Sequence, residues 1–476
     1  MIFDVKYCII LLIFDVNICI LLVFLGVKLC IYPLIFAVKI CIIIYMLQRK
    51  IYDQLLEWKN KQKKMALLVQ GARQTGKTFS VIQFAKEQYT HSVSINFDKT
   101  PALKAIFEGD LDMDTLIRQI TLRVSKAKMI PGQTLIFLDE IQNCPQAQTA
   151  LKFITQDGRF DCIATRSLLG IKNREIPSYP VGYVEHLDMY SLDFEEFLWA
   201  KDTTAESIMD IKGYYERKEK VPRAMHERMM EVFKEYIVVG GMPRVVQEFV
   251  DTNNFNSVLK LQKDILSDYA SDIAKYAQGS EKVKARSCFY SIPKQLAKDY
   301  KKFQYSYVEK NGTARKFAGS LEWLYEAGIV NFCYNLRAVQ LPLEGNAMND
   351  VFKVYMRDTG LLIAMLEDGS QADIIDGNFG IYKGAVYENI IADIFGKLGK
   401  KLYYFEYRGQ MEIDFFIRRN TQAQAVEVKS AENSKSKSMN NIILNYGVKH
   451  GVKLSSRNIS ISENIEALPL YMAMFL

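Results

Sequence analysis

The stretch Gly71-Ala72-Arg73-Gln74-Thr75-Gly76-Lys77-Thr78 constrains this chain more than any other. An apolar run, Met65 to Val69, precedes it and an amphipathic stretch follows, so the order reads strand, loop, helix. Two glycines at this spacing before Lys-Thr let the backbone curl until its N–H groups point inward at phosphates. The helix start adds its positive dipole end to the same place. Lys77 is expected on the β- and γ-phosphates, and the Thr78 hydroxyl on magnesium. Residues 71–78 are therefore read as the cofactor-binding loop, with ATP and Mg2+ as cofactors.

A second apolar run, Thr134-Leu135-Ile136-Phe137-Leu138, ends in Asp139-Glu140. A buried central strand of a parallel sheet has this composition. Asp139 is expected to hold magnesium through water, and Glu140 to orient or deprotonate the attacking water. A third buried strand around Ile163 ends in Thr165-Arg166-Ser167. Thr165 and Ser167 are its candidates for a polar contact with the γ-phosphate.

In this order, GARQTGKT, IFLDEIQ, ATRSLLG and SLDFEEFL, followed by Gly240-Gly241-Met242-Pro243 and Arg357-Asp358-Thr359-Gly360-Leu361-Leu362, the chain resembles prokaryotic AAA-superfamily ATPases fused to a C-terminal domain of unassigned function. The resemblance covers about residues 46–476 and implies ATP hydrolysis. One departure is Arg166, where that family has glycine before the serine. Arg166 is expected to crowd the sensor position or to meet phosphate. Arg244 and Arg357 are the candidate arginine fingers, and a homo-oligomer is the arrangement that would use one in trans.

From Ala200 to about Lys284 the pattern is helical and charged, with Gly240-Gly241-Met242-Pro243 as a turn. Ser291 to Tyr334 then reads helix, helix, helix, strand, as a winged helix would. Lys310, Arg315 and Lys316 stand at the start of its presumed recognition helix, making double-stranded DNA a candidate partner; a protein-interaction role fits the same pattern.

The last stretch reads as a helix from Ala385 to Leu398, then strands Leu402–Tyr407, Glu412–Ile417 and Ala423–Val428. With Glu388, Asp414 and Glu427-Val428-Lys429, it resembles a restriction-endonuclease-like core. That resemblance implies Asp414 and Glu427 on one or two magnesium ions, with Glu388 completing the metal sphere. Lys429, two residues beyond Glu427 on the same strand face, would steer the nucleophile. The alternative is an ATP-gated DNA- or protein-binding switch whose nuclease fold does not cut.

The expected fold class is α/β: a P-loop parallel-sheet ATPase domain over 46–200, a helical and winged-helix middle over 201–375, and an endonuclease-like domain over 376–476. Residues 2–45 repeat an eleven-residue unit four times, aligned on Val5, Val16, Val27 and Val38 and on Cys8, Cys19, Cys30 and Cys41. Asp15, Lys28 and Lys39 keep any charge-free run short of the roughly 18 residues a spanning helix needs. The repeat reads as a translated tandem DNA repeat upstream of a start at Met46, or as a membrane segment if it is expressed. Cys144, Cys162, Cys288 and Cys333 are scattered without ligand spacing, as reduced thiols of a cytoplasmic protein would be. A net charge of +7 permits phosphate contacts without requiring them.

Overall fold

The computed structural model describes residues 46–168, 180–276, 281–298, 301–377, 383–407, 411–429 and 437–476, so the N-terminal repeat lies outside the described residues. Residues Arg49–Leu476 form one compact unit.

It opens with α1 (Ile51–Lys59), β1 (Ala66–Gly71), α2 (Lys77–Gln88), β2 (His91–Asn96), α3 (Met113–Arg123), β3 (Thr134–Asp139), α4 (Pro145–Asp157), β4 (Asp161–Ser167) and β5 (Val184–Asp188). The five strands form one sheet in the order β2-β3-β4-β1-β5, parallel throughout. Alternation along the strands explains why both faces are covered. Ala66, Leu68, Ile136 and Leu138 face α3 and α4, whereas Leu67, Val69, Leu135 and Phe137 face α1 and α2. The P-loop strand and the acidic strand are not neighbours, because β4 lies between them. Their functional ends still meet, since parallel strands all present their C-terminal ends on one edge.

Next come α5 (Phe194–Ala200), α6 (Ala205–Arg217), α7 (Arg223–Val239), α8 (Pro243–Thr252), α9 (Phe255–Tyr276), α10 (Glu281–Leu296) and α11 (Ala314–Glu326). Asp193 caps α5 by accepting from the Glu196 N–H, and the Glu196 side chain returns the bond to Asp193. Between α10 and α11 stands a single 3-10 turn, Tyr305–Tyr307, where a full helix was expected.

The remainder is β6 (Val330–Leu336), β7 (Ala347–Met356), α12 (Thr359–Ala364), α13 (Ser370–Asp376), α14 (Lys383–Lys397), β8 (Leu402–Tyr407), β9 (Met411–Arg419), β10 (Gln422–Val428), α15 (Lys437–Asn445), β11 (Gly451–Ser455), β12 (Ser460–Ser462) and β13 (Ile465–Pro469). These strands make a second sheet in the order β12-β13-β11-β10-β9-β8-β6-β7. The strand expected to end at Tyr334 as the wing of a middle domain is β6, which pairs with the edge strand β7 in this sheet. Strand β6 runs parallel to β8 through Cys333, Tyr334 and Asn335, so the sheet crosses the boundary drawn near residue 376. The reason lies in β6 itself: Val330, Cys333 and Leu336 are buried, as an interior strand requires.

No helix among the described residues is long and apolar enough to cross a membrane. Cys144, Cys162, Cys288 and Cys333 are buried free thiols.

Candidate functional site

The loop Gly71–Thr78 leaves β1 and enters α2 through Gly76, whose φ of 94° is left-handed backbone that favours glycine. Gly71 has no room for a side chain: an added Cβ would lie 2.1 Å from the Met189 carbonyl oxygen. The Lys77 ammonium folds back onto its own loop, donating to the Ala72 and Gly71 carbonyls at 2.6 and 3.0 Å. Burial pushes it down to about 8, against the opposing pull of Glu140 and Asp139. A buried ammonium held only by carbonyls is poised for a better partner, and phosphate oxygens are that partner.

Asp139 and Glu140 stand at the end of β3. Asp139 Oδ1 accepts from the Thr78 hydroxyl at 2.9 Å and from the Thr165 hydroxyl, and its Oδ2 accepts from Asn96 at 2.5 Å. Glu140 takes left-handed backbone (φ 53°), uncommon for a residue with a side chain. Its carboxylate accepts from Ser167 at 2.9 Å and from Gln142 at 2.5 Å. The two hydroxyls of β4 therefore orient the two carboxylates, one each. Thr78 and Asp139 together offer hard oxygen donors, a fit for Mg2+.

Arg166 lies between Thr165 and Ser167 and so points to the opposite sheet face. Its guanidinium donates to Gln70 Oε1 at 2.6 Å, beside β1, instead of crowding the hydroxyl pair.

Several partners of this site carry no sequence motif. Arg49 donates to the Thr75 carbonyl at 3.0 Å, the Tyr190 carbonyl at 2.7 Å and Glu196 at 3.1 Å. Arg73 pairs with Asp272 at 2.6 Å, and Gln74 donates to Asp268 at 2.8 Å. Asp268 and Asp272 are four apart on α9, hence on one face of that helix. An arginine ahead of α1, next to Lys50, and two acids on a distant helix look like surface decoration in the sequence, so only the fold reveals them.

Beside the loop lies a cavity of about 220 Å³ that includes Ala72 and Thr75 on one wall and Tyr325, Arg357 and Asp358 on the other. Arg357 is half-buried; its Nε donates to the Val330 carbonyl at 2.9 Å and to Asn331 at 2.8 Å, and its guanidinium stacks 5.0 Å from the Tyr325 ring. Arg244, the other candidate finger, is exposed at the start of α8.

The expected metal residues of the second sheet do not gather. Glu388, on α14, is buried and taken up by Lys301, by the Tyr355 hydroxyl at 3.0 Å and by Lys353 at 3.5 Å. Asp414 accepts the Val428 N–H at 2.7 Å, where β9 and β10 part. Glu427 pairs with Lys429 at 2.5 Å, which places those two on one strand face as expected. Among the described residues, no three His, Cys, Asp or Glu side chains lie close enough to hold a metal ion. Glu388, Asp414 and Glu427, expected on one metal, each carry protein contacts in this structure. Glu388 has its oxygens on ammonium and phenol groups, and Glu427 has turned to its own lysine.

Residues 63–198 match the family model of the AAA domain. Residues 230–372 and 383–473 match two domains of unknown function, DUF8612 and DUF4143. No curated protein matches the chain. Among solved structures, a Walker-type ATPase of Pyrococcus abyssi is similar at 14% identity, covering 67% of this chain and 96% of that one, with a TM-score of 0.41. The Aeropyrum pernix ORC1 protein in complex with DNA is similar at 14% identity, covering 68% and 92%, TM-score 0.27. AMPPCP-bound DnaA from Aquifex aeolicus follows at 13% identity, 58% and 86%, TM-score 0.27. The AAA match over residues 63–198 and the parallel sheet with its phosphate loop agree in marking this segment as a P-loop ATPase-like domain.

Proposed function

We propose that this protein hydrolyses ATP and uses the nucleotide state to move a nucleic-acid-associated C-terminal half. The observation that carries the reading is the meeting of Lys77, Thr78, Asp139 and Glu140 on one sheet edge, with Ser167 holding the Glu140 carboxylate at 2.9 Å. The backbone of residues 71–78 binds the phosphates, and Lys77 transfers its ammonium from the loop carbonyls to them. Glu140, set by Ser167 and Gln142, takes the proton of the attacking water. Mg2+ held by Thr78 and Asp139 would neutralise charge on the β- and γ-phosphates.

The route to the C-terminal half runs through α9 and the turn at Gly240. Asp268 and Asp272 bind the tip of the loop. Asp358, next to Arg357 in the cavity wall, accepts from Ser191 at 3.1 Å and from the Gly241 N–H at 2.8 Å. Lys397 of α14 donates to the Leu192 carbonyl at 3.0 Å. A change of loop shape on hydrolysis would reach the second sheet through these bonds.

Double-stranded DNA is the partner we assign to the face formed by α10, the 3-10 turn and the start of α11. Lys310 and Arg315 are exposed there, and Lys294 and Lys298 flank the Tyr307 ring at 5.4 and 3.2 Å. Lys316 is already paired with Glu309 at 2.6 Å. We read the endonuclease-like core as a platform rather than a cutter, because Glu388 is held by Lys301 and Lys353 and Glu427 pairs with Lys429. The test is ATP hydrolysis by residues 46–476 with and without DNA. Turnover lost in Lys77→Ala and in Glu140→Gln supports the reading, and undiminished turnover in Glu140→Gln refutes the assignment of the base.

A further inference from the structure

We infer, building on the assignment of DNA to the α10–α11 face, that single-stranded DNA runs along the outer side of α10. The exposed residues of this helix are Lys282, Val283, Arg286, Tyr290 and Lys294. Glu281, its one acid, is already taken up by Lys284 at 2.8 Å and by the Ser320 hydroxyl at 2.7 Å. Nothing on α10 therefore neutralises the three outer cations.

Helical spacing sets their order. Arg286, Tyr290 and Lys294 follow at four-residue steps, so each stands about 6 Å from the next along one ridge. At the end of the ridge, Lys294 and Lys298 flank the Tyr307 ring at 5.4 and 3.2 Å. The track thus alternates cation, ring, cation, ring. The Arg286 guanidinium lies 5.7 Å from the Tyr290 ring, and Tyr290 and Tyr307 are 47% and 39% exposed. An unpaired strand alternates phosphates with bases whose faces are free to stack, whereas a duplex hides those faces inside itself. Cations alone would serve a duplex; exposed rings between them serve a single strand.

A hollow of about 470 Å³ opens beside Tyr290, between α10 and α9. Arg286 and Tyr290 line one side, Lys263, Ser267 and Ser271 line the other, and no acid lines it. Its size admits a base, and the two hydroxyls can donate to or accept from a base edge. The same α9 holds the tip of the phosphate loop through Asp268 and Asp272, and its Tyr269 hydroxyl donates to the Arg73 carbonyl at 3.2 Å. A strand in the hollow touches the helix that grips the nucleotide loop.

Anisotropy titrations on residues 46–476 test this with a blunt duplex and the same duplex carrying an oligothymidine tail. In wild type the tail should raise affinity about tenfold. Tyr290→Ala should erase that gain and leave the blunt duplex unchanged. Arg286→Gln should lower the salt slope of the tailed form by about 0.7 and again spare the blunt duplex. Both side chains are exposed, so thermal unfolding of the variants should match wild type. A tail that adds no affinity, or a gain that survives Tyr290→Ala, overturns the inference and leaves the duplex assignment standing. A tailed form that binds through Tyr290 while the blunt duplex does not supports the inference and removes the duplex assignment. Binding of neither form overturns both.

Discussion

The Asp358 carboxylate accepts the backbone N–H of Gly241 at 2.8 Å across 117 positions of sequence. The two motifs these residues anchor, Gly240-Gly241-Met242-Pro243 and Arg357-Asp358-Thr359-Gly360, are thereby two halves of one clasp. Close packing explains their glycines. A Cβ on Gly240, whose φ is +74°, would lie 2.2 Å from Asp358 Oδ1, and one on Gly360 would lie 2.4 Å from the Val239 carbonyl. Asp358→Ala strands the Gly241 and Leu361 N–H groups and the Ser191 hydroxyl. A loss of about 3 kcal/mol is expected, with about 1 kcal/mol for Asp358→Asn, which keeps one acceptor. Urea denaturation of the two variants beside wild type measures both.

Glu140 and Ser167 should separate by magnitude. Glu140→Gln removes the base and should lower turnover about 10²- to 10³-fold while nucleotide still binds. Ser167→Ala removes only an orienting hydroxyl and should cost about tenfold, an orienting group mattering less than the base it holds. Steady-state hydrolysis together with a nucleotide-binding titration distinguishes them.

Nucleotide affinity should depend on pH through Lys77. In the free protein burial holds this ammonium down at about 8, and bound phosphates raise it again. The bound state therefore keeps a proton that the free state releases, so binding is strongest below pH 8 and weakens above it. The expected loss is about tenfold by pH 9. The unliganded fold has the opposite slope, gaining stability as pH rises from about 8 towards 10.5. Fluorescent-nucleotide titrations across that range, with non-titrating Lys77→Arg alongside, check the sign.

If the α10–α11 face holds DNA, Lys310→Glu and Arg315→Glu should each weaken binding uniformly over sequences. Each should also flatten the salt dependence by about one unit of slope. Anisotropy titrations at three salt concentrations read both effects. An unchanged slope would move the DNA contact elsewhere or remove it.

The nucleotide site was largely legible because its parts are local. Strand, loop and helix around Lys77 are contiguous, and the apolar runs of β3 and β4 announce buried strands whose polar ends share an edge. Arg49, Asn96, Asp268 and Asp272 were not legible, since each reaches the site through the fold and none has a neighbour in sequence that shares its role. Lys353 shows the limit most clearly. In sequence it sits in an ordinary alternating strand, and only the pairing of β6 with β8 brings it under α14 to Glu388. The three carboxylates expected on a metal were found by residue type and order, whereas the cation that satisfies one of them came from a strand assigned to another domain.

That shared sheet has an evolutionary corollary. Asn335 on β6 holds Glu406 on β8 through its amide, accepting the Glu406 N–H at 2.9 Å. A break between β7 and β8 would unpair Cys333, Tyr334 and Asn335 from Leu402, Tyr403 and Tyr404, and bared strand edges invite pairing with other chains. The two halves therefore cannot be exchanged as cassettes: recombination that swaps the C-terminal half must carry the β6–β7 hairpin with it. Crossovers that keep this sheet whole fall before β6.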